Sequence, residues 1–165
     1  MKRKPLFIGI VGHKKSGKTS LIEVLTKKLK SRGHIVGTIK STLHDLEFDT
    51  PGRDTYRHRM AGSAVTLIKS SRKLAIFTSS EYADEDLKQD LFRKCDFVLV
   101  EGDTRSNNPK IYVANNNKMR DDITGKVIAV WGDQIKLEGV QNFGSDSIDD
   151  LCAFLQSFKL SDSQT

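Results

Sequence analysis

The residues with the clearest chemistry lie between positions 12 and 19, where the spacing is G-x-x-x-x-G-K-T. Two glycines at this spacing let the backbone curl so that successive N–H groups point inward, which suits the oxygens of a polyphosphate. The first turn of a following helix adds partial positive charge. In such a loop Lys18 reaches the outer phosphates and Thr19 holds a magnesium ion. The sequence therefore predicts a phosphate loop made of Gly12, His13, Lys14, Lys15, Ser16, Gly17, Lys18 and Thr19.

Acidic residues at the ends of two later apolar runs are candidates for the rest of a nucleotide site. Glu101 follows Phe97–Val100 and is expected to share the magnesium ion with Thr19, directly or through water. Asp133 follows Val127–Trp131 and is the candidate reader of guanine, since a carboxylate accepts hydrogen bonds from the guanine N1–H and N2 amino groups. The alternative is that each acid only closes a strand or a loop, or caps a helix in the case of Asp133.

A phosphate loop is convincing only between a strand and a helix, and the flanking sequence predicts both. The apolar run Leu6–Val11 predicts a buried strand, and the apolar residues after Lys18 recur at helical spacing as far as Gly33. His34–Ile39 then predicts a second strand, parallel to the first. Later strands are predicted at Asp96–Gly102, Lys110–Ala114 and Val127–Trp131, and a last helix from Ser145–Ser147 onward, with residues 159–165 frayed.

The middle of the chain predicts a hairpin and one further helix, and the second part of the polar stretch between Lys40 and Gly62 also has a helical pattern. Ala64–Ile68 and Leu74–Thr78 are the hairpin strands, and the helix runs from between Ser80 and Asp84 to near Cys95. Strands that alternate with helices indicate an α/β protein with the three-layer P-loop NTPase fold and a mostly parallel central sheet. Its ligand is expected at the carboxyl edge of the strands. We expect a single nucleotide-binding domain over residues 1–165.

Composition narrows the classes of protein that this chain can be. Of its 165 residues, 37% are hydrophobic, and no apolar run is long enough to cross a bilayer, so we expect no membrane partner. Cys95 and Cys152 lack metal or disulfide spacing, which favours a cytoplasmic protein.

The net charge of +6 is unevenly distributed along the chain. Residues 1–80 hold 17 basic and 5 acidic side chains, so anionic ligands are favoured near the phosphate loop. A nucleic-acid surface is the weaker explanation, because basic residues do not interleave with aromatics.

Several motifs in the middle of the chain occur in the order seen in one protein family. They are Gly37-Thr38-Ile39-Lys40, His44-Asp45, the run Phe48 to Arg57 that contains D-x-P-G-R-D-T, and Ala61-Gly62. Together with the strand ending V-E-G and the strand ending in Gly132-Asp133, they make nearly the whole chain resemble the MobB family, the molybdopterin-guanine dinucleotide biosynthesis adaptor proteins. The resemblance implies a GTP-binding protein that assists MobA, the enzyme that joins GMP to molybdopterin.

The same resemblance implies GTP as a cofactor and a homodimer, with molybdopterin or its guanine dinucleotide as a further candidate ligand, and the phosphate loop with Glu101 implies Mg2+ as the second cofactor. An apolar hairpin edge also favours a homodimer. Two positions depart from the family pattern. The family usually has K-H-x-H-H after its second strand, whereas here only Lys40 and His44 of that run are kept, and Asp103-Thr104 stand where the family has an aromatic residue and a lysine.

The polar segment Lys40–Arg59 leaves the carboxyl end of the second predicted strand, so we expect it to face the ligand or a partner as a switch. Asp49 is the candidate for the magnesium shell, and His58 could join the basic residues that engage a phosphate or a pterin tail. A solvated loop whose charges pair with one another is the alternative. The candidate substrate or partner residues are Lys40, His44, Asp45, Arg53, Asp54 and Arg57.

Two other functions fit a phosphate loop. A small-molecule kinase would use an arginine-rich lid, but Arg93, Arg105 and Arg120 are scattered singly. A signalling GTPase would carry N-K-x-D, for which Asp133 is the sole stand-in. The sequence therefore favours an adaptor that presents GTP or the pterin product to an enzyme and hydrolyses GTP slowly, if at all.

Overall fold

The computed structural model describes residues 4–162. In these residues the elements are β1 (Leu6–Val11), α1 (Lys18–Ser31), β2 (Val36–Lys40), α2 (Asp54–Met60), β3 (Val65–Lys69), β4 (Leu74–Thr78), α3 (Glu85–Phe92), β5 (Phe97–Glu101), β6 (Lys110–Val113), β7 (Val127–Trp131), β8 (Gln141–Phe143) and α4 (Ile148–Asp162). They form two compact units, one made of the chain up to Thr42 and from Phe92 onward, the other of Leu43–Leu91.

The first unit is built on a six-stranded sheet with the strand order β2-β5-β1-β6-β7-β8. All of its strand pairs are parallel. β1 is buried along its whole length between β5 and β6, which explains why its sequence is a continuous apolar run. The prediction of a mostly parallel α/β P-loop-like fold is therefore confirmed.

Side chains of β1 alternate between the two faces of this sheet. Ile8 and Ile10 face a core formed with the buried side of α1, including Leu21 and Leu25, and with α4. On the other face Val11 joins a smaller cluster with β6, β7 and the segments that follow them. This packing fixes the start of α1 directly beyond the end of β1, and so places the phosphate loop at the carboxyl edge of the sheet.

The second unit contains α2 and the antiparallel hairpin of β3 and β4, which confirms the predicted hairpin. Arg59 of α2 holds the unit together. Its guanidinium lies over the rings of Tyr56 and Phe77, at 5.6 and 5.4 Å from their centroids, and Nη2 is 2.7 Å from Oε1 of Glu47. A cavity of about 1140 Å³ lies beside Arg59 within this unit and is lined by residues of the 45–48 loop, the hairpin and Tyr82.

Three details differ from the sequence-based expectations. β8 was not predicted, and α3 begins at Glu85, one residue after the expected window. The prediction of fraying from residue 159 was wrong for residues 159–162, because they continue α4 and Lys159 is buried. Residues 163–165 lie outside the described part. Within residues 4–162, no helix combines the length and the apolar character of a membrane span.

Candidate nucleotide-binding site

The phosphate loop connects the end of β1 at Val11 to the start of α1 at Lys18. Gly12 and Gly17 have φ angles of 149° and 92°, a region that favours glycine. A Cβ atom at Gly12 would lie 2.5 Å from the carbonyl oxygen of Val113, so that position leaves no room for a side chain. The glycine spacing seen in the sequence thus has a structural cause at both ends of the loop.

The side chains of this loop fit a phosphate ligand. Nζ of Lys18 donates to the carbonyl oxygens of His13 at 2.6 Å and Gly12 at 3.3 Å, which folds the ammonium group over the loop. The hydroxyl of Ser16 is buried and has no hydrogen-bond partner among the described residues. The N-terminus of α1 carries no side-chain cap at Gly17, so its backbone donors remain available to an anion.

A carboxylate and a hydroxyl meet next to this loop in the way expected for a magnesium site. The register of β2 and β5 pairs Lys40 with Glu101. The hydroxyl of Thr19 donates to Oε2 of Glu101 at 3.2 Å, while Nζ of Lys40 is bonded to Oε1. Hydroxyl and carboxylate oxygens are the hard ligands that Mg2+ prefers, so Thr19 and Glu101 fit the ion. Because Lys40 already contacts Oε1 of Glu101, a bound Mg2+ ion would share this carboxylate with Lys40.

The pKa of Lys18 is lowered by its burial and by neighbouring positive charges. Burial lowers the pKa of its ammonium group, the carboxylate of Glu101 opposes this shift, and the positive charges of Lys40 and Arg120 add to it. An anionic ligand beside Lys18 would therefore relieve the repulsion among three cations that are held close together.

Asp133 follows β7 as predicted, at the same edge of the sheet. Its Oδ2 accepts a hydrogen bond from the hydroxyl of Ser145 at 3.2 Å, and Gly132 donates its N–H to the carbonyl oxygen of Phe143. Asp133 is exposed, and its contact with Ser145 links the turn after β7 to the segment before α4. This contact matches the loop-closing alternative, and the reading of guanine by Asp133 stays a prediction.

The remaining predicted site residues belong to the second unit, except Lys40. Oδ1 of Asp49 accepts from the backbone N–H of Thr50 at 2.8 Å and the hydroxyl of Thr55 at 3.1 Å, and Oδ2 lies 3.5 Å from Nε of Arg59. These contacts match the alternative of a loop whose charges pair internally.

The other predicted site residues of the second unit are spread over its surface. Asp45 lines the cavity of this unit, and Arg53, Asp54 and Arg57 are exposed at α2. A ligand role stays a prediction for each of Asp49, His44, Asp45, Arg53, Asp54 and Arg57.

Sequence reasoning missed a segment after β6 that borders the phosphate loop. The carbonyl oxygen of Lys118 is 2.8 Å from Nε2 of His13, and Nη1 of Arg120 is 3.5 Å from the carbonyl oxygen of Gly12. Asn115 donates from Nδ2 to the carbonyl oxygen of Lys15 at 3.4 Å. These contacts are long-range in sequence, so Arg120 could not be assigned to the site from spacing alone.

A buried ion pair that spacing could not reveal links the start of β6 to the segment after β5. Lys110 of β6 is fully buried, and its Nζ donates to the carbonyl oxygens of Ser106 at 3.0 Å and Asn108 at 3.1 Å and lies 3.6 Å from Oδ2 of Asp103. Asp103 also accepts hydrogen bonds from Ser106 and Asn108. The negative charge that departs from the family pattern is thus balanced inside the protein by Lys110.

Comparison with known proteins assigns a family to this chain. The family model described as "Molybdopterin guanine dinucleotide synthesis protein B" matches residues 7–133. The molybdopterin-guanine dinucleotide biosynthesis adapter protein of Escherichia coli K12 is 40% identical over 92 residues, which cover 53% of this chain and 53% of that protein. The protein of the same name from Haemophilus influenzae is 34% identical over 110 residues, covering 63% and 60%. The chain thus spans little more than half the length of these relatives.

Solved structures give the same answer for the fold. A crystal structure of molybdopterin-guanine biosynthesis protein B superposes with a TM-score of 0.73 at 26% identity and covers 93% of this chain and 99% of that chain. Bacillus subtilis MobB gives a TM-score of 0.72 at 23% identity, with 92% and 96% covered. With a family match over most of its length and a phosphate loop in the expected place, the chain belongs to the MobB family.

Proposed function

We propose that this chain is a GTP-binding adapter in molybdenum cofactor biosynthesis, where it assists the attachment of GMP to molybdopterin. The observation that carries the proposal is the phosphate loop, in which Lys18 folds over the loop and Thr19 contacts Glu101. The names of the relatives support the pathway, and the charge of the loop region supports an anionic ligand.

The candidate nucleotide-binding residues of the first unit have defined roles in this proposal. The loop backbone and Lys18 hold the phosphates, Thr19 and Glu101 hold Mg2+ with the phosphate oxygens, and Asp133 reads the guanine. Bound magnesium supplies positive charge that neutralises the β- and γ-phosphates. We expect any GTP hydrolysis by the protein alone to be slow.

Isothermal titration of the protein with GTP, GDP, ATP and ADP in the presence of Mg2+ tests this function. We expect both guanine nucleotides to bind, and each to bind more tightly than the adenine nucleotide of equal charge. If no triphosphate binds, the phosphate-loop assignment is wrong. If ATP and GTP bind equally, the site binds nucleotides without the guanine preference that a GMP-transferring pathway requires.

Replacing Glu101 with glutamine is expected to weaken GTP binding in the presence of Mg2+ more than GTP binding without Mg2+, and to weaken the magnesium dependence of any GTP hydrolysis. An amide is a poorer ligand for Mg2+ than a carboxylate, whereas the phosphate contacts of Lys18 are retained. Titrations at several magnesium concentrations measure the effect, with Glu138→Gln, an exposed position, as the control. Equal loss of nucleotide binding at all magnesium concentrations would instead make Glu101 a structural residue.

The partner enzyme in this proposal is the guanylyltransferase MobA, and molybdopterin or its guanine dinucleotide is the second ligand. The candidate contact region is the segment from Lys40 to Arg59, which contains two exposed basic residues: Arg53, directly before α2, and Arg57, in the last turn of α2. Pull-down of MobA by this protein, with and without GTP, tests the partnership. Binding of MobA that is unaffected by Arg53→Ala and Arg57→Ala together would move the contact elsewhere.

The protein is expected to form a homodimer through one face of its hairpin. Leu67 and Leu74, on the same face of β3 and β4, are 54% and 58% exposed, which is unusual for two leucines of a sheet. Sedimentation should give twice 18.5 kDa for the wild type and 18.5 kDa for Leu67→Glu/Leu74→Glu. Leu160→Glu on α4 is the matched control and should leave the dimer intact. A wild type that sediments as a monomer at micromolar concentration contradicts the dimer.

A further inference from the structure

Arg120 is held beside the phosphate loop by contacts on both its backbone and its side chain. Its backbone N–H donates to the hydroxyl of Tyr112 at 3.3 Å, and Tyr112 is a fully buried residue of β6. That hydroxyl in turn donates to the carbonyl oxygen of Lys118, which also contacts His13. Because β6 pairs directly with β1, with Val11 opposite Tyr112, this chain of contacts fixes Arg120 relative to the start of the loop.

The guanidinium group of Arg120 is only partly used by the protein. Nε and Nη2 donate to the two carboxylate oxygens of Asp122 at 2.7 and 2.5 Å, and Nη1 lies 3.5 Å from the carbonyl oxygen of Gly12. A guanidinium has five N–H donors, so one N–H on each terminal nitrogen has no acceptor among the described residues. These two N–H groups can donate to the oxygens of an anion such as a phosphate group.

The position of the Arg120 guanidinium relative to Lys18 indicates which phosphate it can meet. Nζ of Lys18 and Nη1 of Arg120 contact the same carbonyl oxygen, that of Gly12. In phosphate loops the lysine serves the β- and γ-phosphates. Because Arg120 lies beside that lysine, its position favours the terminal end of a polyphosphate.

We propose that Arg120 binds the terminal phosphate of a nucleoside triphosphate, so that this chain distinguishes a triphosphate from a diphosphate with an arginine of its own. The proposal rests on the nucleotide binding proposed above and adds a residue that neither the phosphate-loop motif nor the family comparisons assign. Asp122 is its positioning residue, because a bidentate ion pair fixes the plane of the guanidinium and keeps it beside the loop when no nucleotide is bound.

Titration calorimetry with GDP and with a non-hydrolysable GTP analogue, both with Mg2+, tests the proposal. Arg120→Ala is expected to lower the affinity for the analogue about tenfold or more, the usual effect of losing a charge-assisted hydrogen bond, and to change the GDP affinity less than about twofold. Arg120→Lys keeps the charge and loses the planar guanidinium with its several N–H donors, so its affinity for the analogue should fall between those of the wild type and Arg120→Ala.

The matched control is Arg93→Ala, which removes the same charge from an exposed position of the first unit and should bind both nucleotides as the wild type does. GDP binding by each variant also reports that it is folded. An unchanged analogue affinity in Arg120→Ala, or an equal loss for GDP and the analogue, overturns the role of Arg120. A wild type that binds neither nucleotide instead overturns the proposed GTP binding, and the two failures are thereby distinguished.

Discussion

Replacing Asp103 with alanine is expected to lower the free energy of unfolding by about 3 kcal/mol. Lys110 is fully buried, and Asp103 carries the one carboxylate that the structure records within 4 Å of its ammonium group in the described residues. Removing that carboxylate leaves a buried positive charge without its counter-ion. Removing one partner of a buried ion pair usually costs about 3–5 kcal/mol. We expect the low end of this range because the carbonyl oxygens of Ser106 and Asn108 still accept hydrogen bonds from Nζ of Lys110.

Chemical denaturation of Asp103→Ala measures this loss, and Asp121→Ala, at an exposed acidic position, is the control. The double variant Asp103→Leu/Lys110→Met should recover much of the stability, since it removes both charges and keeps the volume apolar. A loss below about 1 kcal/mol for Asp103→Ala would mean that water or a rearranged loop solvates Lys110, and that the pair contributes little.

The stability that the Asp103–Lys110 pair contributes should decrease at acid pH. Burial raises the pKa of Asp103, but hydrogen bonds from Ser106 and Asn108 and the charge of Lys110 outweigh it and hold the pKa below its ordinary value. A carboxyl group with a lowered pKa in the folded state contributes stability that is present above its unfolded pKa of about 4 and is lost as the pH falls through the lower folded value. The stability difference between wild type and Asp103→Asn should therefore shrink only in this acid range.

Replacing Lys18 with alanine is expected to lower the affinity for GTP about tenfold or more. A charge-assisted hydrogen bond contributes roughly 1.5–3 kcal/mol, and the ammonium group is already folded over the loop by the carbonyl oxygens of Gly12 and His13. The unliganded protein should lose little stability, because burial and the nearby cations already lower the pKa of Lys18 and make its charge costly.

Calorimetric titration with GTP and thermal unfolding without nucleotide measure the two parts of this expectation. Lys27→Ala, an exposed lysine on α1, is the control and should bind GTP as the wild type does. A Lys18→Ala protein that is folded and binds GTP with unchanged affinity would remove the phosphate-loop assignment and the proposed function with it.

Local patterns in the sequence were sufficient to predict five of the six strands of the central sheet. β7 was predicted with its observed limits, and the phosphate loop lies between β1 and α1 as its motif requires. β8 was missed because it has three residues and only Phe143 is buried, too little for a periodic signal. The end of α4 was misjudged because Lys159 looks like a surface residue, whereas its ammonium group donates to the carbonyl oxygen of Asp96 in a buried position.

The parts of the site that could not be predicted depend on which strands are neighbours. Thr19 and Glu101 were expected to meet because both belong to a known phosphate-loop arrangement, and their side chains do meet. In the sequence, Arg120 is one of several scattered arginines and has no neighbour that would indicate a binding role. It reaches the loop only because β6 pairs with β1 and Tyr112 anchors the following segment, a fact that requires the strand order.

The strand order also has a consequence for how the chain folds as it is made. Phe97 of β5 pairs with both Leu6 of β1 and Val36 of β2, so β5 lies between the two strands that precede it in synthesis. At a synthesis rate of roughly 5–20 residues per second, β1, α1 and β2 wait several seconds for their common neighbour. During that time the apolar β1 has no partner on either edge, so we expect holding chaperones to bind the nascent chain and the proposed nucleotide site to form only after β5 has emerged.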